Sequence, residues 1–251
     1  MSGTEFLEPF ERMVGQLFPP ARVREIDGGS AWDRERQEIE ESGFIDSMVA
    51  EHDGGAGLSL SDTVALWRVL GRHAAPLAIG EAMIDRASPS AVQHEAARLL
   101  LTSAAISGAA DHVLVATVDY AGTRVQFGKP IGRQQALQQQ LALMAEDCLA
   151  VRLSVELAAM GEARWPATLR TAAAKTVASS AAPRIASVAH AIHGAIGISE
   201  EYDLQLHTGR LHQWRLALGS EGRWSRQLGS AVLASNLTAL DWTRAELFGE
   251  V

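Results

Sequence analysis

Apolar residues recur at intervals of three and four along nearly the whole chain, whereas alternating β-branched runs are scarce and alanine is abundant. That period predicts an all-α fold. Leu137, Leu141, Met144, Cys148, Val151 and Val155 advance by four, three, four, three and four, which places them on one face of a helix over about 132–160. Val177, Ala181, Ile185, Val188 and Ile192 line a second helix that begins near Pro166, a residue suited to a first helical turn. Pro183 lies inside this second helix, where it removes a backbone donor and predicts a kink. Ser90 is placed to cap a third helix running to about Tyr120, and Trp224, Leu228, Ala231 and Leu237 mark a last one after Gly219-Ser220. Four long helices with short connections and small alanines on their faces predict an antiparallel bundle.

Upstream the pattern changes. The helical pieces are shorter, and "EHDGGAGLSLSD" reads as a glycine-rich loop before a helix bearing Val64, Trp67 and Leu70. Ser and Pro cluster in "DRASPS", residues 85–90, so the expected division is an N-terminal helical domain, 1–88, and a C-terminal four-helix bundle, 89–251.

Charge narrows the partners. The chain has 22 basic and 30 acidic residues, a net charge of −8, and no run of Lys or Arg that would form a nucleic-acid footprint or a patch for anionic membrane. Its most apolar stretch, "LLLTSAAISGAADHVLVATVDYA", is interrupted by Asp111, His112 and Asp119, which predicts a core helix and not a membrane span. The N-terminal segment carries acids where an export signal carries bases. Cys148 is the single cysteine, so neither an internal disulfide nor a thiolate zinc site can be assembled, and its apolar setting predicts a small core residue. These readings give a cytoplasmic expectation.

Two segments carry candidate chemistry. Arg124, Gln126 and Phe127 precede Gly128-Lys129-Pro130, a position from which a guanidinium and an aromatic ring can project together. An arginine fork donates two parallel hydrogen bonds to a phosphate, and a neighbouring aromatic can pack on a base; equally, a cation at a helix C-terminus needs no ligand. In "HAIHGAIGISEEYDL", residues 190–204, Gly194 and Gly197 either let backbone approach a ligand or simply cap a helix. His190 and His193 have a spacing two metal ligands could use, but the inward carboxylates of a di-iron bundle are missing, and no metal site is expected.

Together these segments resemble the acyl-CoA dehydrogenase family. "RVQFGKPIGRQQALQ" is similar to its Arg-x-x-Phe-Gly-x-Pro-Ile turn with a following helix-start glutamine, and "HGAIGISEEY" to its His-Gly-Gly-x-Gly…Glu-Tyr signature. Ala50-Glu51-His52-Asp53-Gly54-Gly55-Ala56-Gly57 resembles its Pro-Glu-x-x-Gly-Gly-x-Gly loop, and the likeness covers about residues 5–88 and 95–245. The resemblance implies an N-terminal helical domain and a C-terminal four-helix bundle. It also implies an FAD shared across a subunit interface, with Arg124, Gln126, Phe127, Ile131 and Gln135 on its adenosine and pyrophosphate half. Gly194, Ala195 and Gly197 would supply backbone to the same half.

The departures from the family pattern shape the expected function. Between "APLAIGEAMIDRASPS" and the next long helix there is no room for the family's middle β-domain. The catalytic glutamate position falls on Leu218, which cannot accept a proton. Ala191 and Ala195 replace a glutamine and a glycine of the pyrophosphate loop. The implied protein is a short subunit of a heteromeric acyl-CoA dehydrogenase, whose full-length partner chain holds most of the acyl-CoA and supplies the base. A non-catalytic interaction protein is the alternative, and a self-sufficient enzyme using Glu200 or Glu221 ranks below both. Trp214, Trp224 and Trp242 are read as packing residues.

Overall fold

A computed structural model describes residues 4–126 and 128–249. Five helices come first: α1 (Thr4–Leu17), α2 (Pro20–Asp27), α3 (Asp33–Glu41), α4 (Leu60–Arg72) and α5 (Ala78–Arg86). The glycine-rich loop folds as a short 3-10 turn, Glu51–Asp53, and Ser59 then caps α4 by accepting from the Asp62 N–H. Three long helices follow, α6 (Ala91–Thr123), α7 (Gln135–Ala159) and α8 (Thr168–His193), and then α9 (Leu204–Leu216), α10 (Glu221–Ala234) and the short α11 (Ala239–Thr243). Among the described residues the only strands are β1 (Val125–Gln126) and β2 (Lys129–Pro130), paired antiparallel between α6 and α7.

Local chemistry explains these boundaries. Ser90 and Gln93 form a reciprocal capping box that starts α6, satisfying two otherwise orphaned donors. The expected stripe of α7 is interior from Met144 through Cys148 and Val151 to Val155, with Leu137 and Leu141 partly covered. Cys148 is buried, its S–H directed at the Ala110 carbonyl, and burial pushes its thiol up to about 12. This region has two helices more than the apolar pattern predicts, α9 and the short α11. Helix α9 packs against α6 and α8, yet its inward side mixes Leu204, Leu211 and Trp214 with His207 and Thr208. Leu237, expected on the last long helix, lies beyond its end and is exposed. Trp214, Trp224 and Trp242 are all buried.

Helix α6 is the axis of the molecule. It is long and apolar enough to cross a membrane by length and composition, but most of that stretch is covered by other helices. One core cluster runs from Phe10 and Trp67 to Leu100, Leu101 and Val155, so the first helices and the bundle are packed without a break. Helices α4 and α6 meet backbone to backbone: a Cβ on Gly71 would lie 2.0 Å from the Ala105 carbonyl oxygen, and one on Gly108 would lie 1.9 Å from that of Arg68. Beside this crossing Asp111 accepts from Arg68 at 2.8 Å and from Arg152 at 2.6 Å, tying α4, α6 and α7 together.

Candidate functional site

The hairpin at the end of α6 is built by its backbone. The Arg124 N–H donates to the Tyr120 carbonyl at 2.8 Å, ending the helix, and the Arg124 carbonyl accepts from Ile131 N–H at 2.8 Å, closing the hairpin. Val125 faces Pro130 and Gln126 faces Lys129, while Gly128 holds φ +76°, a left-handed conformation that glycine adopts without a side-chain clash. Arg124, Gln126 and Gln135 are exposed, the last as the first residue of α7. Arg124 has no carboxylate partner among the described residues. Phe127 lies outside them.

Ile131 belongs to a different category from its neighbours. It is interior, packed with Ala121 and Ile192, so it anchors the hairpin on the ends of α6 and α8 and presents no side chain at the surface. The second segment begins where α8 ends. Gly194 has φ +63° and ψ −143°, with open space where a Cβ would stand, and the chain continues as a 3-10 turn, Gly194–Ile198. Gly194 and Ala195 are exposed. Gly197 is buried, and a Cβ there would come within 2.9 Å of the His193 Cβ and 3.1 Å of Leu204 Cδ2. Its small size therefore serves a close internal approach between the turn, the end of α8 and the start of α9.

Between the hairpin and this turn lies an aromatic cluster. The Tyr120 ring stacks on His193 with centroids 4.4 Å apart, its hydroxyl reaches the His193 carbonyl at 3.4 Å, and Tyr202 covers His193 at 5.1 Å. His193 Nδ1 faces the Ala189 carbonyl at 2.8 Å; a carbonyl only accepts, so Nδ1 carries the proton and Nε2 is left a buried acceptor without a partner. Burial lowers the pKa of this ring and holds it neutral. His190 uses Nε2 to reach Thr208 Oγ1 at 2.9 Å, so the two histidines are engaged separately. No group of three or more His, Cys, Asp or Glu side chains among the described residues has an arrangement that would hold a metal ion.

The position of the missing base is a full helix away, since α9 separates the two regions by about 20 Å at 1.5 Å per residue. Leu218 has φ +59° and packs with Leu99, Ala172 and Trp224. Glu221 is partly exposed at the start of α10. It is forked to Arg215 at 2.7 and 3.5 Å, and that guanidinium holds its carboxyl below the usual range. Glu200 is exposed just ahead of α9, at the opposite end of that helix from Leu218. Below this connection Lys175 is wholly buried, donating from Nζ to the carbonyls of Trp214 at 2.5 Å and Arg215 at 3.2 Å, where it caps α9 from inside.

A site that joins an exposed arginine hairpin to an open glycine turn, without a base at the α9–α10 connection, can hold an anionic ligand but offers no proton acceptor at Leu218. Residues 90–232 match the family model described as acyl-CoA dehydrogenase, C-terminal domain. The chain belongs to the acyl-CoA dehydrogenase family. Among curated relatives, the acyl-CoA dehydrogenase IpdE2 of Mycolicibacterium smegmatis is 36% identical over 133 residues, which is 53% of this chain and 42% of the relative. The chain thus matches less than half the length of that member. Among solved structures, a chain of the ChsE4–ChsE5 complex from Mycobacterium tuberculosis superposes with a TM-score of 0.82 at 18% identity, covering 94% of this chain and 98% of that one. A variant of the Tcur3481–Tcur3483 steroid ACAD gives 0.75 at 16% identity, covering 92% and 99%. At these identities the superpositions establish a shared all-α fold.

Sequence reasoning missed Tyr120 and Lys175 as parts of the site, and carried Tyr202 only as the end of a motif. The signals were present: the chain has two tyrosines, both in the aromatic cluster, and Lys175 steps by four between Thr171 and Ser179 on the buried side of α8.

Proposed function

We propose that this chain is one subunit of a heteromeric FAD-dependent acyl-CoA dehydrogenase, with 1–88 as its N-terminal helical domain and 89–251 as its bundle. It donates half of an FAD site whose remainder, with the catalytic glutamate and the acyl-CoA pocket, belongs to a full-length partner. The observation that carries this reading is the placement of an exposed Arg124, without a carboxylate partner among the described residues, with the open Gly194 turn on one end of the bundle, while Leu218 offers no base. The donor set fits a diphosphate. Arg124 presents a planar fork, Gln126 on the hairpin and Gln135 at the start of α7 are exposed amides, and the turn at Gly194 and Ala195 is exposed, although the Gly194 N–H itself donates to the His190 carbonyl. Phe127 is assigned to the adenine side from the sequence motif, Ile131 supports the hairpin from within, and Gly197 shapes the turn.

In this family FAD supplies the acceptor for the hydride removed during α,β-desaturation of an acyl thioester. The residues of this chain bind and orient, and none of them moves a proton at the substrate. The superposition on chains named as a complex and as a steroid ACAD supports a heteromer and a substrate with a bulky cyclic acyl group.

Affinity purification of the tagged chain from its host tests the reading. A yellow complex with a larger dehydrogenase-like chain is expected, and Arg124→Ala should strip most of its flavin. A colourless complex, or flavin that Arg124→Ala leaves in place, would instead make the chain an interaction or assembly protein with a degenerate bundle.

A further inference from the structure

Two segments that must act on one ligand need a fixed distance between them, and here they belong to different helices. The hairpin hangs from the last turn of α6 and the glycine turn from the end of α8. What joins them is Tyr120. Its carbonyl receives the Arg124 N–H at 2.8 Å, so the residue ends the helix from which Arg124 projects. The same residue's ring lies flat on His193, 4.4 Å between centroids and 20° between planes, and His193 is the residue before Gly194. Tyr202 closes the other side at 5.1 Å, leaving His193 4% exposed. The Nδ1 bond to Ala189 fixes the ring on α8. Beneath the stack Ile131 and Ile192 make a second, apolar contact between the same two ends.

We infer that Tyr120 is a positioning residue for the FAD half-site, setting the separation of Arg124 from the Gly194 turn through its stack on His193. The inference rests on the shared-FAD reading and deepens it. Tyr120 touches no ligand in this scheme; it acts through the two segments it connects. The planar contact carries the effect, because the hydroxyl contact at 3.4 Å is long for a hydrogen bond and is made to a carbonyl, not to the ligand. A phenylalanine keeps the ring stack and a leucine does not.

The test uses the complex purified through the tagged chain, stripped of flavin and titrated with FAD, with a thermal melt of the flavin-free complex as the folding control. Tyr120→Leu should weaken FAD binding by about tenfold, equivalent to ~1.4 kcal/mol, while Tyr120→Phe stays within about twofold of wild type. His193→Leu removes the other half of the stack and should weaken binding to a similar extent. The Tyr120→Leu/His193→Leu double variant should be no weaker than either single one, the non-additivity expected of residues acting through one contact. If Tyr120→Leu fails to fold, His193→Leu against wild type decides alone.

Arg124→Ala separates the inference from the reading beneath it. If Arg124→Ala loses FAD while folded Tyr120→Leu and His193→Leu bind it as wild type does, the positioning role is wrong and the half-site stands. If the losses of the two leucine variants add, the residues act independently and the positioning role is again wrong. If wild type holds no flavin, or Arg124→Ala leaves its affinity unchanged, the shared-FAD reading fails and the inference falls with it.

Discussion

Replacing Gly108 by alanine places a methyl group where α6 meets α4. The added carbon would stand 1.9 Å from the Arg68 carbonyl oxygen and 2.9 Å from the Arg72 nitrogen, both backbone atoms that cannot rotate away. An ordinary carbon–oxygen contact is about 3.3 Å, so the helices must separate by roughly 1.4 Å along that direction. A gap of 0.5–1 Å already forfeits about a quarter to a half of a contact's attraction, and here it would open between Trp67 and Leu70 on one side and Leu101 and Ala104 on the other. The cost belongs at the upper end of overpacking, ~3 kcal/mol, against ~1 kcal/mol that alanine returns over glycine within a helix. A net loss of ~2 kcal/mol lowers Tm by roughly 4–8 °C in a chain of this size. Gly209→Ala is the matched control, because Gly209 also lies within a helix but has nothing within 4 Å of its missing Cβ. That variant should gain ~1 kcal/mol. Thermal and urea unfolding followed by far-UV circular dichroism measure both. The reasoning is refuted if Gly108→Ala melts at or above wild type, or if Gly209→Ala falls as far as Gly108→Ala.

Two pH predictions follow from buried bases. Burial lowers Lys175 from its ordinary 10.5 to about 7, with Glu221 opposing the shift and Arg215 adding to it. The unfolded chain therefore binds the extra proton between about pH 7 and 10.5, and the stability of wild type relative to Lys175→Met should rise across that window. Unfolding free energies of both proteins at stepped pH give the difference curve, and a flat or falling one contradicts the assignment. His207 is buried against His112, ring centroids 3.7 Å apart, and burial with its neighbours lowers it to about 3. Its unfolded form takes up a proton near pH 6.5 while the folded form stays neutral, so stability falls as pH drops below 6.5. His207→Phe should make that decline shallower by up to ~1.4 kcal/mol per pH unit, and an unchanged slope would show that this ring is not the source.

The parts of the fold that the sequence announces are those where one chemical signal agrees with another. Ser90 precedes a long apolar run and starts α6, and the stepping of Met144, Cys148, Val151 and Val155 is the buried stripe of α7. Helix α9 escapes the pattern because two of its inward residues, His207 and Thr208, are polar and find partners only in the folded molecule. The hairpin is likewise invisible to periodicity, since strands of two residues have no alternation to detect. At the site, the motif pointed to Arg124 and Gly194, whereas the burial of Ile131 and the inward packing of Gly197 depend on contacts between segments more than sixty residues apart or on the turn folding back over its own helix. Helical glycines pose the same difficulty: Gly71 and Gly108 look like weak points in α4 and α6 until the two backbones are seen to touch.

The seclusion of Cys148 has a practical consequence. Its sulfur is covered, and its thiol is pushed up to about 12, so almost none of it exists as the nucleophilic thiolate at neutral pH. The folded native chain is therefore expected to resist maleimide labelling, a result that mass spectrometry of the treated protein checks. A single introduced cysteine, for example Lys129→Cys on the exposed hairpin, would be the one reactive thiol on the folded chain. A fluorophore attached there would report, as a molecular ruler, when another polypeptide closes over this end of the bundle.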